Sequence, residues 1–239
     1  CRQQRILFVH GGGWYLGGLD SHDDFCSRLA YDSKLEVIAV DYRLAPEAPY
    51  PAGLNDLEAV YRALLLSHAQ SPLLIGDSAG ANLLAALTLR CRRLTIPQAC
   101  AQVLIYPGLS KPDSLPSHQT LPDAPLLDRA SMELCWQLYS GGLEAEEYTE
   151  LQREELMPLE ASSLAQLPSA SIFAAQFDPL RDDARVYAQR LRENAVAARD
   201  WQIKGLVHGG LRGIGRTPEG DQLYQLVLAE VARHCSALD

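Results

Sequence analysis

The stretch Leu73-Leu74-Ile75-Gly76-Asp77-Ser78-Ala79-Gly80-Ala81 decides how this chain is read. Its apolar start predicts a buried strand ending at Gly76, and the residues after Ser78 lead into a helical run from Asn82 to about Arg93. A Gly-x-Ser-x-Gly pattern set between strand and helix has a chemical reason. A serine hydroxyl becomes a useful nucleophile only where the chain turns sharply enough to hold it clear of the scaffold. Gly76 and Gly80 carry no side chain to collide in such a turn. The following helix aims its positive end at the place where negative charge would develop.

Outward from this turn, the chain alternates. Arg5 to His10 reads as a strand running into Gly11-Gly12-Gly13-Trp14. Three glycines can be a plain flexible turn, but they also let backbone N–H groups converge on one point, as an oxyanion requires. Asp20 to Lys34 reads as a helix and Leu35 to Tyr42 as a buried strand. Leu54, Leu57, Tyr61 and Leu64 recur at helical spacing within Gly53 to Ser67, and Gln102 to Tyr106 is a further strand. Such alternation implies a parallel sheet covered on both faces.

The alternation breaks at Ser110. Up to Ala165 there is a Pro-rich loop, one predicted helix (Asp128 to Ser140) and an acidic stretch, Glu144 to Glu155. Met132, Trp136 and Tyr139 share a face of that helix. We read residues 110–165 as a cap over the strand ends, with residues 1–109 and 166–239 as the core, and the acidic stretch as a solvated face. Ser171 to Phe177 then reads as a strand, Asp183 to Asn194 as a helix, Asp200 to Lys204 as a short strand and Pro218 to His234 as the closing helix.

Composition sets the outer limits. At 239 residues with 47% hydrophobic and 21% charged residues, the chain suits one large globular domain. A net charge of −9 disfavours nucleic acid or an anionic membrane surface as partner, and no apolar run is long enough to span a bilayer. Six cysteines without a C-x-x-C pair give no metal or redox signature; buried, inert thiols and a reducing, cytoplasmic setting are expected.

A serine nucleophile needs a histidine to take its proton and a carboxylate to orient that histidine. In this topology the chain order should be Ser, acid, His, the last two on loops beyond later strands. Asp178 and His208 satisfy both conditions. Asp182 and Asp183 fall at a helix start, where capping is the simpler role. His22, His68 and His234 sit on helices or helix ends and read as solvated. His118 lies in the cap loop without an assigned role, and His10 reads as a structural hydrogen bonder for the glycine loop.

Taken together, HGGGW at His10 to Trp14, DYRLAPE at Asp41 to Glu47, GDSAG at Gly76 to Gly80, DPLRDD at Asp178 to Asp183 and His208-Gly209 resemble the serial motifs of the hormone-sensitive-lipase-like esterases. These are bacterial carboxylesterases of the α/β-hydrolase superfamily. The resemblance implies an α/β-hydrolase fold with Ser78 as nucleophile, Asp178 as acid and His208 as base. It also implies an oxyanion hole from the N–H groups of Gly11, Gly12 and Ala79, and a buttressing role for Asp41 to Arg43. Trp14, Met132 and Trp136 are the expected substrate-pocket residues, and no metal or organic cofactor is implied. The expected substrate is a small ester of short acyl chain. Rival readings are an amide or formamide hydrolase on the same triad, and a non-catalytic receptor for small ligands.

Two departures stand out. Gly210 occupies the place, two after the histidine, where relatives carry an aromatic residue. Relatives also have several dozen residues ahead of the HGGGW motif, supplying two strands and part of the cap. Without them, Leu35 to Tyr42 is expected to become a sheet edge, unblunted by Lys or Pro across Val37-Ile38-Ala39-Val40. Either a second copy pairs there, giving a homodimer, or the natural chain is longer; the second is the expectation.

Overall fold

The computed structural model describes residues 4–67, 70–143 and 147–236, so His68 and residues 144–146 of the acidic stretch lie outside the described residues. The strands β1 (Arg5–Val9), β2 (Glu36–Val40), β3 (Leu73–Asp77), β4 (Ala101–Ile105), β5 (Ala170–Phe177) and β6 (Ala198–Val207) form one sheet. Their order is β2-β1-β3-β4-β5-β6, and every neighbouring pair is parallel.

Parallel neighbours need crossover helices, and those helices cover both faces. The period-two alternation of a strand divides the apolar residues between them. Leu7, Val9 and Leu74 pack with α2 (Ala52–Ser67), α3 (Ala79–Arg93) and α7 (Arg181–Glu193) through Leu57, Leu84 and Tyr187. Ile6, Phe8 and Ile75 pack on the other side with α1 (Leu19–Ser33) and α8 (Pro218–Ser236) through Phe25, Leu29, Leu223 and Val227. Among the described residues no helix is long and apolar enough to cross a membrane.

The register aligns the strand ends. Val9 pairs with Gly76, Asp77 with Ile105, and Phe177 with Val207. The residues just beyond these strands, Gly11, Ser78, Asp178 and His208, therefore emerge at the C-terminal ends of the parallel strands.

Several boundaries differ from the sequence reading. The second strand stops at Val40, because Tyr42 leaves the sheet to donate its hydroxyl to His10 O at 2.9 Å. The last strand continues to Val207, delivering His208 directly. The β2 strand pairs with β1 alone among the described strands, so its outer edge is open.

Between β4 and β5, α5 (Arg129–Ser140) begins at Asp128, whose carboxylate accepts the Ser131 amide at 2.7 Å. Two further helices, α4 (Pro116–Thr120) and α6 (Glu150–Leu156), have no counterpart in the sequence reading. The first is too short to show a period. The second did carry a signal, since Thr149 and Gln152 form a reciprocal capping box with bonds of 2.9 and 3.3 Å.

The acidic stretch is not uniformly solvated. Glu155 is buried, taking the Arg90 guanidinium at 2.8 and 2.6 Å, the Tyr50 hydroxyl at 2.6 Å and Arg93 at 2.6 Å. Burial alone would raise its pKa, but these four bonds hold it below the usual carboxylate range. It fastens α6 to the core.

Candidate active site

Ser78 links β3 to α3 with φ +52° and ψ −119°, a backbone conformation that costs a side-chain-bearing residue about 1–3 kcal/mol. The surroundings over-determine it. Its amide donates to Ile105 O at 2.8 Å. A Cβ on Gly80 would stand 2.1 Å from Val9 O, so only glycine lets α3 begin this close to β1.

The Ser78 hydroxyl lies 2.9 Å from His208 Nε2, and His208 Nδ1 lies 2.7 Å from Asp178 Oδ2. The other Asp178 oxygen accepts the Leu180 amide at 2.8 Å, and the carboxylate is fully buried. With Nδ1–H donating to the carboxylate, Nε2 keeps its lone pair for the serine proton. Tyr106 packs its ring 4.8 Å from the imidazole, and its hydroxyl accepts the Leu211 amide at 3.3 Å, fixing the loop after the histidine. A Cβ at Gly210 would meet the Leu206 side chain, Cδ1 at 2.4 Å, so the leucine occupies the space beside this glycine.

The glycine loop requires one correction. The Gly11 amide donates to Asp77 Oδ1 at 2.8 Å and is therefore not free for an oxyanion. Gly12, Gly13, Ser78 and Ala79 instead line one cavity. Among the described residues the Gly12 and Gly13 amides have no intramolecular acceptor, and Ala79, the first residue of α3, has none within its helix. Asp77, one residue before the serine, was missed by sequence reasoning. It is buried and also takes His22 Nε2 at 3.2 Å. Burial opposes its ionisation, but His22, the Gly11 amide and the nearby His208 together keep its pKa below the usual value.

Other histidines also move from their expected places. His22 is buried behind the glycine loop rather than solvated, and His234 is buried as well. His10 does hold the loop: its ring stacks on Tyr42 at 4.4 Å and Nδ1 bonds Gly11 O at 2.8 Å, with burial lowering its pKa. His118 is buried against Asp183 at 2.8 Å, and Asp182 accepts the Ser117 amide at 3.0 Å. These two aspartates tie the segment before α5 to α7, beyond any capping role.

The cavity has a volume of about 280 Å³. Trp14, Met132 and Trp136 line it, with Trp14 stacked on Tyr139 at 4.4 Å and 3°. Cys135 lies against Gly13, and burial raises its thiol to about 11. Among the described residues no group of three or more His, Cys, Asp or Glu is arranged to hold a metal ion.

Residues 6–212 match the family of the alpha/beta hydrolase fold. The chain belongs to that family, in its hormone-sensitive-lipase-like branch. This α/β-hydrolase is 40% identical over 210 residues to carboxylesterase NlhH of Mycobacterium tuberculosis, an alignment covering 85% of the chain and 65% of that relative. It is 32% identical over 238 residues to an ethyl acetate hydrolase of Pseudomonas putida, covering 96% of the chain and 73% of that protein. An ester hydrolase from the metagenome of Lake Arreo, solved with a bipyridine phosphonate derivative, superposes with a TM-score of 0.90 at 31% identity, covering 98% of the chain and 75% of that structure.

Proposed function

We propose that this α/β-hydrolase cleaves small carboxylic esters through an acyl-enzyme. The observation that carries the reading is the unbroken line from Ser78 Oγ through His208 to Asp178, with separations of 2.9 and 2.7 Å, at the floor of the cavity. Ser78 attacks the acyl carbon while His208 Nε2 takes its proton, and Asp178 stabilises the imidazolium. The negative charge on the former carbonyl oxygen falls to the amides of Gly12, Gly13 and Ala79, at the positive end of α3. His208 returns its proton to the leaving alcohol, and a water activated by the same imidazole then releases the acid.

Residues 110–165 act as the cap. Met132 and Trp136 close the cavity from that side, and its small volume favours acyl chains of about two to six carbons. The esterase names of the relatives favour an ester over an amide, and ethyl acetate, the named substrate of one, is a short-chain case.

The test is Ser78→Ala together with a fluorophosphonate label. Hydrolysis of 4-nitrophenyl butyrate should fall by about 10⁴-fold or more with the fold intact, and label should be recovered on Ser78. A variant that keeps most of its activity, or label on another serine, would overturn the assignment.

A further inference from the structure

The cavity wall carries one charge that the ester chemistry leaves unused. His208 leads into a 3-10 turn, Gly210–Gly213, in which the Arg212 amide donates to Gly209 O at 3.1 Å. This turn sets Arg212 on the same cavity wall as Ser78 and His208. Its side chain is exposed, and among the described residues its guanidinium makes no ion pair or hydrogen bond. Several other arginines of the chain are engaged. Arg43 is forked onto Asp56, Arg90 and Arg93 hold Glu155, Arg192 meets Asp200, and Arg199 and Arg233 both meet Glu230.

The rest of the lining sharpens the point. Arg212 is the only arginine or lysine among the described lining residues, and the only lining carboxylate is Asp77, already bound to Gly11 and His22. Leu126, Leu127, Met132, Trp136 and Leu180 make most of the remaining wall apolar. A carboxylate entering this cavity would find hydroxyl and amide donors, but among the described lining residues only one Lys or Arg, Arg212, whose fork of N–H donors matches a carboxylate in geometry and charge.

Resting on the ester-hydrolase reading above, we propose that Arg212 selects esters bearing a second, ionised carboxylate: half-esters of dicarboxylic acids, or acyl esters of hydroxy acids. Arg212 thereby fixes the end of the substrate remote from the scissile bond, while the apolar wall accepts the methylenes between. The unesterified carboxylate is not consumed; it is a handle.

Two matched pairs test this, each exchanging a terminal methyl for a carboxylate. Monoethyl adipate against ethyl hexanoate places the charge on the acyl side; 4-acetoxybutanoate against butyl acetate places it on the alcohol side. Hydrolysis is followed by pH-stat near neutral pH in the wild type, Arg212→Gln and Arg212→Lys. The quantity read is the anionic-to-neutral ratio of kcat/KM, which does not depend on the fraction of active protein. In at least one pair the ratio should fall about threefold or more in Arg212→Gln, through KM of the anionic ester, with Arg212→Lys retaining part of it. A smaller fall in both pairs would overturn the role of Arg212. If the wild type turned over none of the four esters, the ester-hydrolase reading itself would fail.

Discussion

The carboxylate of Asp77 accepts the Gly11 amide at 2.8 Å, tying the residue before Ser78 to the loop that presents Gly12 and Gly13. The same carboxylate bonds His22 on α1 at 3.2 Å, so three segments of the chain share one buried anion. Its effect should appear in transition-state binding. Asp77→Ala should lower kcat by about 10²-fold with KM little changed, because the glycine loop loses its anchor while the ground-state cavity survives. Asp77→Asn, which keeps an acceptor for Gly11, should stay within about tenfold of the wild type. Steady-state kinetics, with affinity for a trifluoromethyl ketone that forms an oxyanion on Ser78, checks this. A large rise in KM with kcat unchanged would contradict it.

Gly80 is fixed by backbone, not by side chains. Its Cβ would meet Val9 O at 2.1 Å and His10 O at 2.6 Å, neither of which can rotate away. Gly80→Ala should cost about 3 kcal/mol, and should also displace Ser78. Urea denaturation alongside activity measures both. A stable, fully active variant would show that β1 and α3 can separate freely.

Glu155 balances Arg90 inside the protein. Glu155→Gln should destabilise by about 3 kcal/mol at neutral pH, because the buried Arg90 guanidinium loses its closest carboxylate and keeps only Glu58, at 3.2 Å. Since the folded pKa of Glu155 is depressed from 4.5, its contribution is present above that value and is lost as pH falls through the lower folded pKa. The gap between variant and wild type should therefore close in acid. Chemical denaturation from neutral pH down to about pH 3 reads it; a constant gap would count against the pairing.

His234 predicts a separate acid slope. Arg233 Nη2 donates to its Nε2 at 2.9 Å, which requires the neutral ring, and burial with the adjacent arginine lowers its pKa from 6.5 to about 4. Between those values the unfolded chain binds a proton that the folded chain refuses, so stability falls as pH drops from 6.5 towards 4, by up to about 3 kcal/mol. His234→Gln, uncharged throughout, should flatten that limb. An unchanged slope would place the dependence on another group.

What the sequence determined by itself was the scaffold and the positions of Ser78, Asp178 and His208, which the structure brings within hydrogen-bonding distance of one another. Buried parallel strands are short apolar runs, and Gly-x-Ser-x-Gly between such a strand and a helix leaves few conformations for Ser78. Asp178 and His208 were legible because each directly follows a strand, in the order this topology demands. The tertiary structure decided what depends on the direction a backbone group faces. Composition made Gly11, Gly12 and Gly13 equivalent, but only the approach of Asp77 shows that the first amide is taken, while the next two residues line the cavity with amides that have no intramolecular acceptor among the described residues. It also decided which charges lie inside. His22, His234 and Glu155 stand on helices whose periodicity permits either surface or interior, and each is buried because a partner distant in sequence meets it there: Asp77, Ser171 and Arg90. Local pattern specifies elements; a polar group can be buried only where the fold brings it a partner.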